Sequence, residues 1–222
     1  MNMQIDVGKV KIGVVGAGSW GTALANLLAL KGFKIDLWVF EKEVKDQIEL
    51  YRENKVFLPG VSLSDQIYPS NDIEAVVKEK DLVLLVVPSH VMREAANKIR
   101  EHIYKETIIV SASKGIENKT HLTMSGVLRE VLQDISGDYF AVLSGPSFAR
   151  EVVRKVPTVI AVASKNQKVA AFVQHVFATP YFRAYTNNDM VGVELGGSVK
   201  NVIAIASGII DGLGLGLNTR AA

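Results

Sequence analysis

The stretch Gly16-Ala17-Gly18-Ser19-Trp20-Gly21 constrains this chain more than any other, because of what flanks its three glycines. Val10 to Val15 is an apolar run that predicts a buried strand, and Thr22 to Leu30 predicts a helix. A strand, a glycine turn and a helix together bind a pyrophosphate. The first glycine permits the tight turn, the second lets backbone N–H groups approach the phosphates, and the third lets helix and strand pack closely. The anion then rests on the positive end of the helix. The same architecture needs a group for the adenosine ribose about 20 residues further on, after its second strand. Lys34 to Phe40 predicts that strand, and Glu41 follows it. A carboxylate there accepts hydrogen bonds from both ribose hydroxyls and repels the extra phosphate of NADP, which favours NAD. Lys42 and Lys45 lie close enough to leave NADP some tolerance. The alternative is that Glu41 merely opens a charged helix and faces water.

The alternation of strand and helix continues. Helices are expected at about Lys42 to Glu53, Asp72 to Lys80, Val91 to Glu101 and Thr123 to Leu132. Strands are expected near Gln66 to Tyr68, at Asp81 to Val87, Thr107 to Ser111 and Tyr139 to Leu143. Asp81 to Val87 is apolar almost throughout, as suits a central parallel strand buried on both faces. Thr158 to Val162 and Phe182 to Tyr185 then predict strands that flank a helix, Asn166 to Phe177, and complete the sheet. The class is therefore α/β, a doubly wound Rossmann-type sheet. From Asp189 onward the character is helical, with Val193, Leu195, Val199, Val202, Ile203, Ile205, Ile209 and Ile210 spread around the circumference. A helix apolar all round is expected to be buried. Residues 1–187 are thus expected to form a dinucleotide-binding domain. Residues 188–222 begin an all-helical substrate domain that is too short to build its own core.

Charge and composition narrow the function. With 25 basic and 23 acidic residues the net charge is only +2, which gives no case for a nucleic-acid partner. Four scattered histidines and no cysteine argue against a metal site or a disulfide framework, and the lack of cysteine suits the cytoplasm. Met1 to Asp6 lacks the charged and apolar regions of a signal peptide. Val202 to Ile210, between Lys200 and Asp211, is too short to cross a bilayer, so no membrane span is expected.

Three segments fall at the carboxyl ends of predicted strands, where such sheets bind ligands: Val87 to His90, Ser111 to Ile116 and Ser144 to Ala149. The plain reading is that Ser, Gly and Pro are what loops contain. Ser147 is no hydrolase nucleophile, because its surroundings lack the elbow spacing and an activating histidine. Lys114 and Lys200 are the residues expected to carry chemistry. Lys200 interrupts Leu195 to Ile203, a segment that otherwise reads as interior. A lysine there must be paired, hydrated in a cleft or neutral for part of the time, which suits general acid–base work. Asn201 beside it is a candidate to orient it.

These segments, with Phe57-Leu58-Pro59-Gly60, Ser113-Lys114-Gly115-Ile116-Glu117, Gly196 to Ala204 and Asp211-Gly212-Leu213-Gly214, resemble NAD(P)-dependent glycerol-3-phosphate dehydrogenase in that family's order. Leu37 to Glu41 looks more like the NAD-using eukaryotic branch than the NADPH-using bacterial one. The resemblance implies a reversible hydride transfer between sn-glycerol 3-phosphate and dihydroxyacetone phosphate that feeds glycerophospholipid synthesis. By the same resemblance Gly16, Gly18, Ser19, Trp20, Gly21, Phe40, Glu41, Lys114 and Ala149 contact the cofactor. Lys114, Gly145, Ser147 and Lys200 contact the substrate, and Lys200 is the proton acceptor. A homodimer is implied for the full-length protein. The family continues with further helices that carry an aspartate and an Arg-Asn pair used on the substrate and its phosphate. The chain is therefore expected to be truncated within the helical domain and to be inactive on its own. Two other readings are a lysine-dependent dehydrogenase of 3-hydroxy acids or 6-phosphogluconate, and a dinucleotide-binding module without catalysis.

Overall fold

The computed structural model describes residues 9–221, so Met1 to Asp6 and Ala222 lie outside the described residues. Among the described residues eight strands form one sheet in the order β3-β2-β1-β4-β5-β6-β7-β8. They are β1 Ile12–Val15, β2 Ile35–Trp38, β3 Ile67–Ser70, β4 Leu82–Leu85, β5 Ile108–Ser111, β6 Phe140–Ser144, β7 Thr158–Ala163 and β8 Phe182–Asn187. β1 to β6 are mutually parallel, and every residue of β1 and β4 is buried, as their continuous apolar runs require. From β1 the chain runs outward to β2 and β3, then returns to place β4 on the other side of β1. That reversal opens a crevice at the carboxyl ends of β1 and β4.

The helices between these strands are α1 Ser19–Leu30, α2 Lys42–Tyr51, α3 Ile73–Val77, α4 Met92–Ile99, α5 Met124–Val131, α6 Ala149–Val153 and α7 Gln167–Phe177. They cover both faces of the sheet. Leu24, Leu28, Ile35, Leu37 and Ile48 belong to one apolar cluster, and Val83, Leu85, Ile99, Val127 and Leu128 to the other. α1 begins at Ser19, three residues before the expected start, so the last glycine of the motif lies inside the helix. α3 is shorter than expected. It starts on an Asp72 cap that accepts from the N–H groups of Glu74 and Ala75, and it has ended before Glu79, whose φ is +56°.

β7 runs antiparallel to β6 and parallel to β8. A parallel return needs a crossover helix long enough to traverse the sheet. α6 has only 5 residues, a rise of about 7.5 Å, so the chain turns back. α7, with 11 residues, makes the next crossover parallel.

After the sheet come α8 Met190–Gly212 and α9 Leu217–Ala221. Asp189 caps α8 by accepting from the Gly192 N–H at 2.8 Å. The expected burial of this segment is not found. Val202, Ile203 and Ile205 are each at least 64% exposed, because within the described residues only the N-terminal turns of α8 reach the sheet. The apolar stretch Val202 to Ile210 is part of a longer helix than expected. α8 continues through Lys200 for 23 residues, and an 18-residue window of it has mean hydropathy 1.4, long and apolar enough by those measures to cross a membrane. Its first turns pack instead on β6 and β7.

Candidate active site

The glycine loop has the geometry its sequence predicts. Gly16 has φ +114°, and a Cβ on it would lie 2.5 Å from the Val86 carbonyl oxygen. A Cβ on Gly21 would lie 1.9 Å from the Gly16 carbonyl oxygen, so that glycine is required by packing. Gly18 is different: nothing lies within 4 Å of its Cβ position, and it gives α1 no side-chain cap. The N–H groups of the first turn therefore face open space at the positive end of a helix, which fits a diphosphate. That space is a cavity of about 420 Å³ lined by Gly16, Gly18, Trp38, Phe40, Glu41, Val87 and Pro88 among others. Its size and mostly apolar wall suit an adenine nucleotide.

Phe40 and Glu41 stand at the end of β2, at one side of this cavity. Phe40 is 71% exposed and meets the Trp38 ring edge-on with centroids 6.0 Å apart. Glu41 precedes α2 but makes no capping hydrogen bond, which leaves its carboxylate for the cavity. Lys42 and Lys45, expected to leave NADP some tolerance, are engaged along α2 with Asp46 and Glu49. The cation that does line the cavity is Lys98, which pairs with Glu94 at 2.7 Å. Trp20 turns away from the cavity and packs against Phe182, with centroids 6.5 Å apart. Ser19 gives its hydroxyl to the Phe57 carbonyl.

Below the glycine loop lies a residue that the sequence did not single out. Asn54 is fully buried, and its Nδ2 donates to the Ala17 carbonyl at 2.8 Å and to Thr22 Oγ1 at 2.9 Å. Its Oδ1 accepts from the Phe57 N–H at 2.9 Å. Asn54 and Ser19 thus fasten the segment around Phe57-Leu58-Pro59-Gly60 beneath the phosphate loop.

The second group of residues gathers at the ends of β5 and β6. Ser113 Oγ donates to the Val87 carbonyl at 2.6 Å, which ties together the loops after β4 and β5. Gly115 has φ +126° and passes so near Ser89 that a Cβ would meet Ser89 Oγ at 2.8 Å. Further along the same loop Arg93 grips the Glu117 carboxylate with Nε at 2.9 Å and Nη2 at 2.8 Å, and reaches Glu130 with Nη1 at 3.0 Å. The guanidinium holds the Glu117 carboxyl well below the usual carboxylate range.

Between these anchors Lys114 extends so that its Nζ donates to the Gly145 carbonyl at 3.0 Å. Burial lowers the Lys114 pKa, and the Lys200 ammonium beside it lowers it further. Lys200 is exposed, contrary to the interior position expected for it, and its ammonium stands 5.5 Å from the Phe148 ring centroid. With Ser144, Gly145 and Gly197 it lines a second cavity of about 310 Å³. Ser147 Oγ donates to the same Gly145 carbonyl at 3.4 Å. Asn201 is exposed and about 100° round the helix from Lys200, so adjacency in sequence does not bring it to that cavity. Ala149 begins α6, which packs on α1. The structure therefore joins Lys114, Gly145, Ser147 and Lys200 in one group, and Gly16, Gly18, Phe40 and Glu41 in another.

Comparison with known proteins shows the family to which the chain belongs. Residues 11–170 match the family pattern described as the NAD-dependent glycerol-3-phosphate dehydrogenase N-terminus, and residues 189–222 match that of its C-terminus. Glycerol-3-phosphate dehydrogenase [NAD(P)+] of Syntrophobacter fumaroxidans is 53% identical over 95% of this chain and 62% of its own length. The chain thus spans just under two thirds of the curated relatives it matches. The crystal structure of glycerol-3-phosphate dehydrogenase from Coxiella burnetii superposes with TM-score 0.84 at 38% identity, covering 95% of this chain and 63% of that one. Its counterpart from Plasmodium falciparum gives TM-score 0.88 at 27% identity, covering 96% and 62%. The eukaryotic look of Leu37 to Glu41 therefore does not extend to the chain, whose higher identities are to bacterial proteins.

Proposed function

Because the chain belongs to the NAD-dependent glycerol-3-phosphate dehydrogenase family, we propose that it supplies the cofactor site and the catalytic lysines for interconversion of sn-glycerol 3-phosphate and dihydroxyacetone phosphate. The observation that carries this reading is the approach of Lys200 to Lys114, far apart in sequence, with the Lys114 ammonium held at the Gly145 carbonyl. A nicotinamide cofactor bound there would supply the acceptor or donor for the hydride at C2. Lys200 accepts the C2 hydroxyl proton during oxidation and gives it back during reduction. Lys114 donates to the substrate oxygen and stabilises negative charge developing there. Gly145 and Ser147 line the substrate side. Gly16, Gly18 and the first turn of α1 hold the diphosphate, with Ser19, Trp20 and Gly21 shaping the loop and Ala149 facing the dinucleotide. Phe40 flanks the adenine and Glu41 takes the ribose hydroxyls, which makes NAD the preferred cofactor.

The domain boundary proposed at residues 187–188 follows the end of β8 at Asn187, with α8 starting the helical part at Met190. The exposed apolar side chains of α8 support self-association of the 222-residue chain, and family membership supports a homodimer of the full-length protein. A cytoplasmic location goes with this metabolic role and with the absence of cysteine.

The reaction is tested in a chimera in which these residues replace the matching portion of a full-length relative. NADH oxidation by dihydroxyacetone phosphate is expected, with turnover falling roughly 100-fold or more in Lys200→Ala. Turnover with a 3-hydroxy acid or 6-phosphogluconate instead would assign the chain to a related dehydrogenase. NADH binding with no turnover on any of them would make it a binding module.

A further inference from the structure

Of the described residues of α8 only Met190 and Glu194 are buried. Glu194 is 5% exposed, and both of its carboxylate oxygens are taken by one residue of the sheet domain. Oε1 accepts from the Ser125 backbone N–H at 2.7 Å, and Oε2 accepts from Ser125 Oγ at 2.6 Å. Ser125 lies in the first turn of α5, whose Thr123 cap serves the Gly126 N–H, so the carboxylate adds its charge to the positive end of that helix. An apolar contact such as Met190 tolerates rotation of a helix about its axis. A carboxylate held at two points does not.

That rotation decides what happens two turns later. At 3.6 residues per turn Gly197 lies about 60° round α8 from Glu194, and Lys200 about 60° further, roughly 9 Å along the axis. At Gly197 the helix backbone comes so close to β6 that a Cβ would lie 2.5 Å from Ser144 Oγ and 3.7 Å from Lys114 Cγ. Lys200 follows at the edge of the cavity it shares with Gly145, the residue whose carbonyl holds Lys114.

We propose that Glu194 is a positioning residue whose two-point grip on Ser125 sets the rotation of α8 that brings Lys200 beside Lys114. The proposal rests on the reading of Lys114 and Lys200 as a working pair. The two causes that depress the Lys114 pKa, burial and the neighbouring ammonium, both depend on α8 lying where Glu194 holds it.

The test needs no turnover and uses the 222-residue chain. Trace labelling with acetic anhydride across a pH series, read by peptide mass spectrometry, follows the titration of each lysine. In the starting protein Lys114 is expected to titrate below the ordinary lysine range. Glu194→Ala is expected to move it up into that range without changing NADH affinity. Glu194→Gln keeps the shape, accepts from the Ser125 N–H and donates to its hydroxyl, so it is expected to leave Lys114 low. If Glu194→Ala does not fold, Ser125→Ala removes one of the two donors and is expected to give a smaller upward shift. A folded variant of either kind in which Lys114 titrates as in the starting protein would overturn the role of Glu194. Lys114 titrating with the exposed lysines in the starting protein would instead dissolve the lysine pair, and the proposal with it.

Discussion

Lys114 Nζ donates to the Gly145 carbonyl oxygen at 3.0 Å, and this bond joins the loops after β5 and β6 on the side where Lys200 stands. The depressed Lys114 pKa puts a cost on the folded state. That cost is present in full while both states are protonated. It is relieved as pH rises through the folded value toward the unfolded value of about 10.4. Lys200→Met is expected to raise the Lys114 midpoint and to leave it below ordinary lysines, because burial is the larger cause and remains. Labelling across pH checks this, and an unmoved midpoint would show that Lys200 does not act on Lys114.

Asn54→Ala removes a buried amide and leaves the Ala17 carbonyl, the Thr22 hydroxyl and the Phe57 N–H to find other partners. A loss of about 1–3 kcal/mol is expected in denaturant unfolding. NADH affinity should fall as well, because the phosphate loop loses its support from below. Unchanged affinity in a folded variant would separate this network from cofactor binding.

Gly197→Ala places a methyl group 2.5 Å from Ser144 Oγ. Overpacking of this kind costs about 1–3 kcal/mol. The clash is with a hydroxyl, so adding Ser144→Gly should recover most of the stability. The single variant is also expected to lose dehydrogenase turnover in the chimera and to keep NADH binding. Failure of the double variant to recover would show that the helix backbone, not the Ser144 side chain, fixes the spacing.

Glu41→Ser should narrow the gap between NAD and NADP, since the carboxylate at the end of β2 is the group that would repel a ribose phosphate. Lys42 and Lys45 lie along α2 and do not line the cavity, whereas Lys98 does, so Lys98 is the cation placed to meet that phosphate. Adding Lys98→Ala to Glu41→Ser is expected to weaken NADP and spare NAD. Equal affinities for both cofactors in the starting protein would contradict the role given to Glu41.

Most strands were legible because a parallel strand buried on both faces is a short continuous apolar run, as in Leu82 to Leu85. The glycine loop was legible because the positive φ at Gly16 and the close packing at Gly21 leave glycine little competition there. The direction of β7 was not, since it depends on how far a five-residue helix can carry the chain. Asn54 and Glu194 were hidden for a different reason. Each is a polar residue without a motif, and each acquires its partners only when segments distant in sequence come together. The exposure of Lys200 was not legible from its apolar neighbours, because among the described residues nothing covers that part of α8.

The central claim is that the glycine loop and the cavity in front of it are a dinucleotide site, and calorimetric titration with NADH tests it most directly. The 222-residue chain is expected to bind one NADH saturably. Gly18→Val is expected to abolish that binding without unfolding the chain, because φ is −64° and nothing lies within 4 Å of the Cβ position, while the side chain fills the space kept for the phosphates. No saturable heat from the starting protein, or full NADH affinity in a folded Gly18→Val variant, would contradict the account.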